Sequence, residues 1–236
     1  MFSILSSRCP NLKKLRVDRA SSLQDMCIYK NVLLEKLELH RSNFLLEPKC
    51  LDRFPILRSL RYTPSFRCDS AQMEGIIAAS PTVLRELSIE IPSSTGNDIL
   101  NAISRRLFIL ESLSIQGSYE CGYFSQEAVL QIGRKCLFLN NLEVTSTKSV
   151  SDLKFDASSF MTLASYPSLK KLRLKYDDLL ISHLSDLLNQ SDSIREIIFW
   201  DRQKWVTQVR WEAMRFQIAE INKQFPSRII SLESII

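Results

Sequence analysis

One short frame recurs eight times along the chain: Leu-x-x-Leu-x-apolar, with first positions at Leu12, Leu34, Leu57, Leu84, Leu110, Leu139, Leu169 and Ile194. Successive first positions lie 22 to 30 residues apart. Leucine supplies 34 of the 236 residues, so composition alone would scatter about five Leu-x-x-Leu pairs through a chain this long. It would not space them regularly. A period of 20 to 30 residues marks a unit too small to bury its own apolar face, so the units must stack and share a continuous core.

Each frame reads as a short strand with alternating sides. In Leu169-Lys170-Lys171-Leu172-Arg173-Leu174, Leu172 and Leu174 point inward while Lys171, Arg173 and Lys175 point the other way. Between the frames lie stretches of helical period: 69–79, 97–108, 125–136, 158–164 and 177–189, each opening on a polar residue able to cap a helix. Phe54-Pro55, Ser80-Pro81 and Tyr166-Pro167 stop the outer segment before the next strand. In the first two repeats the outer segments are short enough for loops or single turns. The spacing therefore predicts eight parallel strands, with Leu15, Leu37, Leu60, Leu87, Leu113, Leu142, Leu172 and Ile197 in one buried column.

The frame is preceded by Cys9-Pro10 at Leu12, Phe54-Pro55 at Leu57, Cys136 at Leu139 and Tyr166-Pro167 at Leu169. This pattern resembles the cysteine-containing leucine-rich repeats of F-box/leucine-rich-repeat proteins, over Leu12 to Phe199. The strand is mostly not followed by the family's cysteine or asparagine; Ala20, Ser42 and Ser65 stand near that place. The resemblance implies an α/β fold, a right-handed leucine-rich-repeat horseshoe of about eight repeats over residues 1–200, closed by a C-terminal cap helix and tail over 201–236. It also implies a protein substrate receptor of a cullin-type ubiquitin ligase, which performs no chemistry and needs no cofactor. The family's F-box would precede the array, and a cullin-ligase adaptor is a partner only if such an F-box lies upstream of Met1. The chain starts within a repeat, with Phe2 and Leu5 reading as the end of an outer helix, so the N-terminal edge is expected to be unsealed.

The first eight residues lack the charged and apolar regions of a secretory signal, and no run approaches the roughly 18 apolar residues of a membrane span. The cysteines number six and are widely spaced, which points to buried free thiols in a reducing compartment, cytoplasmic or nuclear. The Asn189-Gln190-Ser191 sequon is then not expected to be used. After Phe199 the leucine rhythm stops, and 201–225 reads as one helix. Trp205, Val209, Ala213 and Phe216 fall on one of its faces and Trp211, Met214, Ile218, Ile221 and Phe225 near the other. One face can seal the array; the apolar tail 229–236 is the ordinary cover for the second, and a partner surface the alternative.

Little in the chain suggests catalysis. There are two histidines, His40 and His183, and no His-x-x-His, Cys-x-x-Cys or Gly-x-Ser-x-Gly pattern. Asp177-Asp178 reads as a helix start. The five glycines stand apart, so no glycine loop cradles a phosphate. What remains is the outward face of the strands, expected to be concave. Basic clusters stand at both ends, Lys14/Arg16/Lys36/Arg61 and Lys171/Arg173/Lys175, around a middle of Glu86, Glu90 and Glu143. Trp200 and Glu196 stand beside the second cluster, and an outward aromatic is a favoured anchor at interfaces. An acidic partner segment with one apolar anchor is thus expected to contact Lys171, Arg173, Lys175, Glu196 and Trp200, with Arg16 and Arg61 as a second contact; the alternative buries Trp200 under the cap helix. A scaffold without ligase function would use the same face. Nucleic-acid binding draws on the net charge of +5 and a pI near 8.9, but the separated clusters do not make a phosphate-tracking stripe.

Overall fold

A computed structural model describes residues 9–18, 33–42, 48–64, 70–91, 96–117, 123–146, 154–201 and 208–234. Eleven strands appear in it: β1 (Lys14–Asp18), β2 (Lys36–Ser42), β3 (Ser59–Pro64), β4 (Glu86–Ile91), β5 (Ser112–Gly117), β6 (Tyr123–Phe124), β7 (Asn141–Ser146), β8 (Lys154–Phe155), β9 (Lys171–Lys175), β10 (Glu196–Asp201) and β11 (Ile229–Ser234). Between them run α1 (Pro48–Leu51), α2 (Ser70–Ala79), α3 (Gly96–Arg106), α4 (Gln126–Lys135), α5 (Ala157–Thr162), α6 (Asp178–Ser182), α7 (Leu184–Gln190) and α8 (Gln208–Gln224). Nine strands form one parallel sheet in the order β1-β2-β3-β4-β5-β7-β9-β10-β11, and β6 pairs with β8 apart from it. Successive helices contact one another in series on one side of the sheet.

The expected column forms in register. Leu15, Leu37, Leu60, Leu87, Leu113, Leu142, Leu172 and Ile197 lie opposite one another strand by strand, and all are buried. A repeated backbone bond sets this register. The carbonyl of Lys13 accepts the amides of Glu35 and Lys36 at 2.8 and 3.0 Å. Glu35, Arg58, Arg85, Glu111, Asn140 and Lys170 repeat the same shared-carbonyl step to the next strand, using both lone pairs of the oxygen. The first leucine of each frame, from Leu34 to Ile194, is buried directly beneath this rung.

Local sequence explains the starts of α4, α5 and α6. The Ser125 hydroxyl accepts from the Ala128 amide, the Asp156 carboxylate from the Ser159 amide at 2.7 Å, and the Asp177 carboxylate from the Leu179 amide. These side chains satisfy amides that have no partner within the helix. Asn97 departs from the expectation: its side-chain oxygen accepts the Ser125 amide 2.8 Å away and ties two repeats together. The expected helix 177–189 is broken into α6 and α7 at His183. Gly133 on α4 leaves room for the Tyr166 ring, which a Cβ would meet at 2.5 Å, and the Tyr166 hydroxyl donates to the Val129 carbonyl at 2.6 Å.

The C-terminal region differs from a cap with a covering tail. β11 joins the sheet as a ninth strand, with Ile230 opposite Ile197. Asn222 of α8 clasps both backbone groups of Ile230, donating at 2.9 Å and accepting at 3.2 Å. Trp211, Met214, Ile218 and Ile221 are buried against the shared core, while Val209 and Phe216 on the other face are exposed. The tail therefore extends the sheet instead of covering that second face. Trp205, Phe2 and Leu5 lie outside the described residues. At the N-terminal side, β1 is the first strand of the sheet, and Leu15 and Val17 are nevertheless buried.

The cysteines also differ from six free thiols. Cys136 is buried, its Sγ 3.4 Å from the Leu107 carbonyl, and burial pushes its thiol up to about 12, so it is inert at neutral pH. Cys50, however, is disulfide-bonded. The cysteine pattern thus gives no support to a reducing compartment. No helix among the described residues is long and apolar enough to cross a membrane.

Two stability measurements follow from these contacts. Leu113 is fully buried between Leu87 and Leu142, so Leu113→Ala should cost about 2–5 kcal/mol in denaturant unfolding; a loss under about 1 kcal/mol would place it outside the core. The amides at the start of α5 hold the Asp156 carboxyl below its usual range. A depressed folded-state value stabilises above the unfolded value and is lost as pH falls through the carboxylate range. Asp156→Ala should therefore destabilise by about 1 kcal/mol near pH 7, with a difference from the parent protein that shrinks toward pH 3.

Candidate partner-binding face

Because the helices stack on one side, the outward side chains of the strands form an open face, three per strand, aligned in rows by the register. From β1 to β9 every one of these positions is half-exposed or exposed. One row reads Arg16, Glu38, Arg61, Ser88, Ser114, Glu143, Arg173, Ile198 and Ser231.

The rows change the meaning of the expected basic clusters. Glu38 stands between Arg16 and Arg61 and gathers N-terminal side chains: Lys36 Nζ lies 2.9 Å from it, His40 Nε2 3.5 Å and Arg16 Nη1 4.0 Å. The Lys36 hydrogen bond, ahead of its charge and His40, holds the Glu38 carboxyl below its ordinary value. Arg16 also bonds Asp18 at 3.1 Å, and its side chain remains 63% exposed. Arg61 is exposed on the middle row.

At the other end the cluster is internally neutralised. Lys171 pairs with Glu196 at 3.0 Å. Arg173 lies between two carboxylates, Glu143 on β7 at 3.0 Å and Glu233 on β11 at 2.8 Å. A partly exposed cation so placed bridges from β9 to β7 on one side and across β10 to β11 on the other, and offers little free charge to an acidic ligand. Lys171, Arg173, Lys175 and Glu196 are thus brought together on two adjacent strands, with Lys171 and Arg173 held in ion pairs.

Trp200 is not a surface anchor: it is 1% exposed. Ile198 on the same face is buried as well. The pairing of β7 with β9 ends at Glu143↔Arg173, whereas β9 stays with β10 as far as Lys175↔Trp200. Beyond Arg173 the Val144 carbonyl of β7 receives the Trp200 indole N–H instead, at 3.2 Å. The ring therefore reaches across β9 and joins two strands that are not neighbours. Burial of Trp200 was the alternative to a contact anchor, and what favours it is a break in the ladder invisible to strand alternation.

His40 faces Glu38 and Thr63; His183 turns its Nδ1 to the Leu179 carbonyl at 2.9 Å and the Ser182 hydroxyl at 3.0 Å. Asp177 caps α6, and Asp178 lies 3.7 Å from Arg210. Among the described residues no three His, Cys, Asp or Glu side chains are placed to hold a metal ion.

No protein-family model matches the chain, and no curated protein matches it in sequence.

The position of Trp200 can be tested directly. A fully buried indole with a satisfied N–H should cost about 3–5 kcal/mol on truncation to alanine. Trp200→Ala should lower the melting temperature by several degrees or more, and a variant with an unchanged melting point would place the ring on the surface.

Proposed function

We propose that the protein is a leucine-rich-repeat recognition module, similar to the substrate-receptor part of F-box/leucine-rich-repeat ubiquitin-ligase subunits, that holds a segment of a partner protein on the open face of its sheet. The observation that carries this reading is the open face itself. Parallel strands present polar side chains in fixed rows, exposed or half-exposed from β1 to β9, on a backbone whose opposite side is filled by helices. A parallel sheet backed by helices gives a rigid, preorganised contact surface, which saves ordering entropy on association.

Within that face the contact falls on the N-terminal half. Lys14, Arg16 and Arg61 are exposed cations there, followed by the polar strip of Ser88, Ser114 and Gln116. Lys171, Arg173, Lys175 and Glu196 contribute shape more than free charge, and Trp200 stiffens the floor under them. The partner segment is therefore acidic at one end and hydrogen-bonding along its length. Under this reading the module performs no chemistry, needs no cofactor, and works in the cytoplasm or nucleus. The Cys50 disulfide would be unusual there, so the redox state of Cys50 in cells is a direct check of compartment.

Photo-crosslinking side chains placed at Arg61 and Ser114, with a control at Glu127 on α4, test the site in the tagged protein. The open-face probes should capture one common partner and the control should not. Reversing charge at Arg16 and Arg61 together should slow association by about tenfold or more at low salt, and less at high salt. Equal capture by the control probe, or capture indifferent to charge reversal, counts against the open face. Recovery of a cullin and its adaptor with the partner distinguishes a ligase subunit from a scaffold of the same fold.

A further inference from the structure

The turns that lead into the strands form a second surface, on the edge of the array and away from the open face. Each turn places a residue just before the buried first leucine of the frame. In the repeats leading to β2, β3 and β4 this residue is Leu33, Ile56 or Val83, exposed by 40%, 39% and 40%. The next two turns carry Phe108 at 48%, then Leu137 and Phe138 at 52% and 59%. Before and after this stretch the equivalent residues are polar: Asn11 at one end, Ser168 and Ser193 at the other. Single exposed apolar side chains need no explanation, but a contiguous row does. Exposed apolar side chains one or two positions before the first leucine, in the turns leading into five adjacent strands, make a ridge.

The ridge runs beside a basic border. α3 ends in Arg105 and Arg106, α4 ends in Arg134 and Lys135, and Arg53 stands in the turn after α1. Arg105, Arg134 and Lys135 are exposed. Cations at helix C-termini favour the helix dipole, which accounts for their presence at α3 and α4. It does not account for the apolar row that runs alongside them.

We propose that this edge docks an acidic amphipathic helix of a partner protein, its apolar stripe along the ridge and its carboxylates against the basic border. Five strands about 4.8 Å apart span roughly 19 Å, the length of about 13 helical residues, and a helix presents its stripe once per about 5.4 Å turn. Ridge and stripe therefore match in length and nearly in pitch. The charge along the border requires that the flank of the helix be acidic. A bilayer fits less well, because side chains half sunk in the surface do not protrude far enough to reach beneath lipid headgroups.

The probe is a fluorescein-labelled 15-residue peptide with leucine at every third or fourth position and glutamate between, titrated against the full chain by anisotropy. Saturable binding is expected that weakens at least tenfold in Val83→Ser/Phe138→Ser and in Arg134→Glu/Lys135→Glu, the second pair with a lowered salt dependence. Val83→Ser/Phe138→Ser should melt with the parent protein, Arg134→Glu/Lys135→Glu should melt a few degrees lower through the lost dipole contact yet stay folded at the assay temperature, and the open-face pair Arg16→Glu/Arg61→Glu should bind the peptide normally, which separates this site from the one proposed above. Absence of saturable binding, or binding that survives both ridge and border variants, overturns the proposal. So does ridge-dependent binding to vesicles of 30% phosphatidylserine in phosphatidylcholine without peptide binding, which would assign the edge to a membrane.

Discussion

The architecture depends on a single repeated bond: one carbonyl, at the residue after each frame's first leucine, accepting two amides from the next repeat. Parallel strands cannot be joined by a tight hairpin, so their register has to be set by something other than the connection. The shared carbonyl does this at the start of every strand, before the side chains of the column meet. Once Lys13 is bonded to Glu35 and Lys36, Leu15 has only Leu37 to face, and the same logic carries to Ile197. Repeats of 22 to 30 residues are tolerated because the length of the connection does not enter the register.

That register has an electrostatic consequence. Rows on the open face are made of residues distant in sequence but neighbours in space, and charges of opposite sign occupy adjacent places in them. Arg173 meets Glu143 across one strand boundary, from 30 residues away, and Glu233 across two, from 60 residues away. Lys36 and Arg16 meet at Glu38. Each pair is worth little in water, but the sum removes like-charge repulsion between aligned strands, which would otherwise accumulate along a sheet of this kind. The face reaches near neutrality at its C-terminal half, where linear reading finds three cations.

The inward positions were legible because they need only the period. Leu172 and Leu174 alternate with Lys171 and Arg173, and no knowledge of neighbours is required to decide which side is buried. Outward positions are a different matter, since their environment is set by strands 20 to 60 residues away. Glu38 alternates with Leu37 and Leu39 like any outward strand residue, and it becomes central only because β1 and β3 flank it. β6 and β8, two residues each, fall below any periodic signal; they are held by their pairing and by the Phe124 and Phe155 rings, 5.1 Å apart. The tail was misplaced for a related reason. Ile229-Ile-Ser-Leu lacks the leading leucine of the frame, yet Ile230 and Leu232 have the right alternation and Asn222 supplies the backbone clasp.

Trp200 shows how a local irregularity recruits its own remedy. The step from Leu139 to Leu169 is the longest between frames, at 30 residues, and it is there that β7 and β9 part after Glu143↔Arg173. Parting leaves a backbone acceptor at Val144 in a place that burial would make costly to leave unpaired. A short polar side chain on β9 could meet it only at the position where Lys175 turns outward. The indole of Trp200, one strand further, is long enough to cross β9, apolar enough to cover the gap it crosses, and ends in a single donor that the carbonyl needs. The residue that linear reading marks as an exposed anchor is thus the one that the break in the sheet most requires to be buried, and the cation row beside it loses its aromatic partner for the same reason.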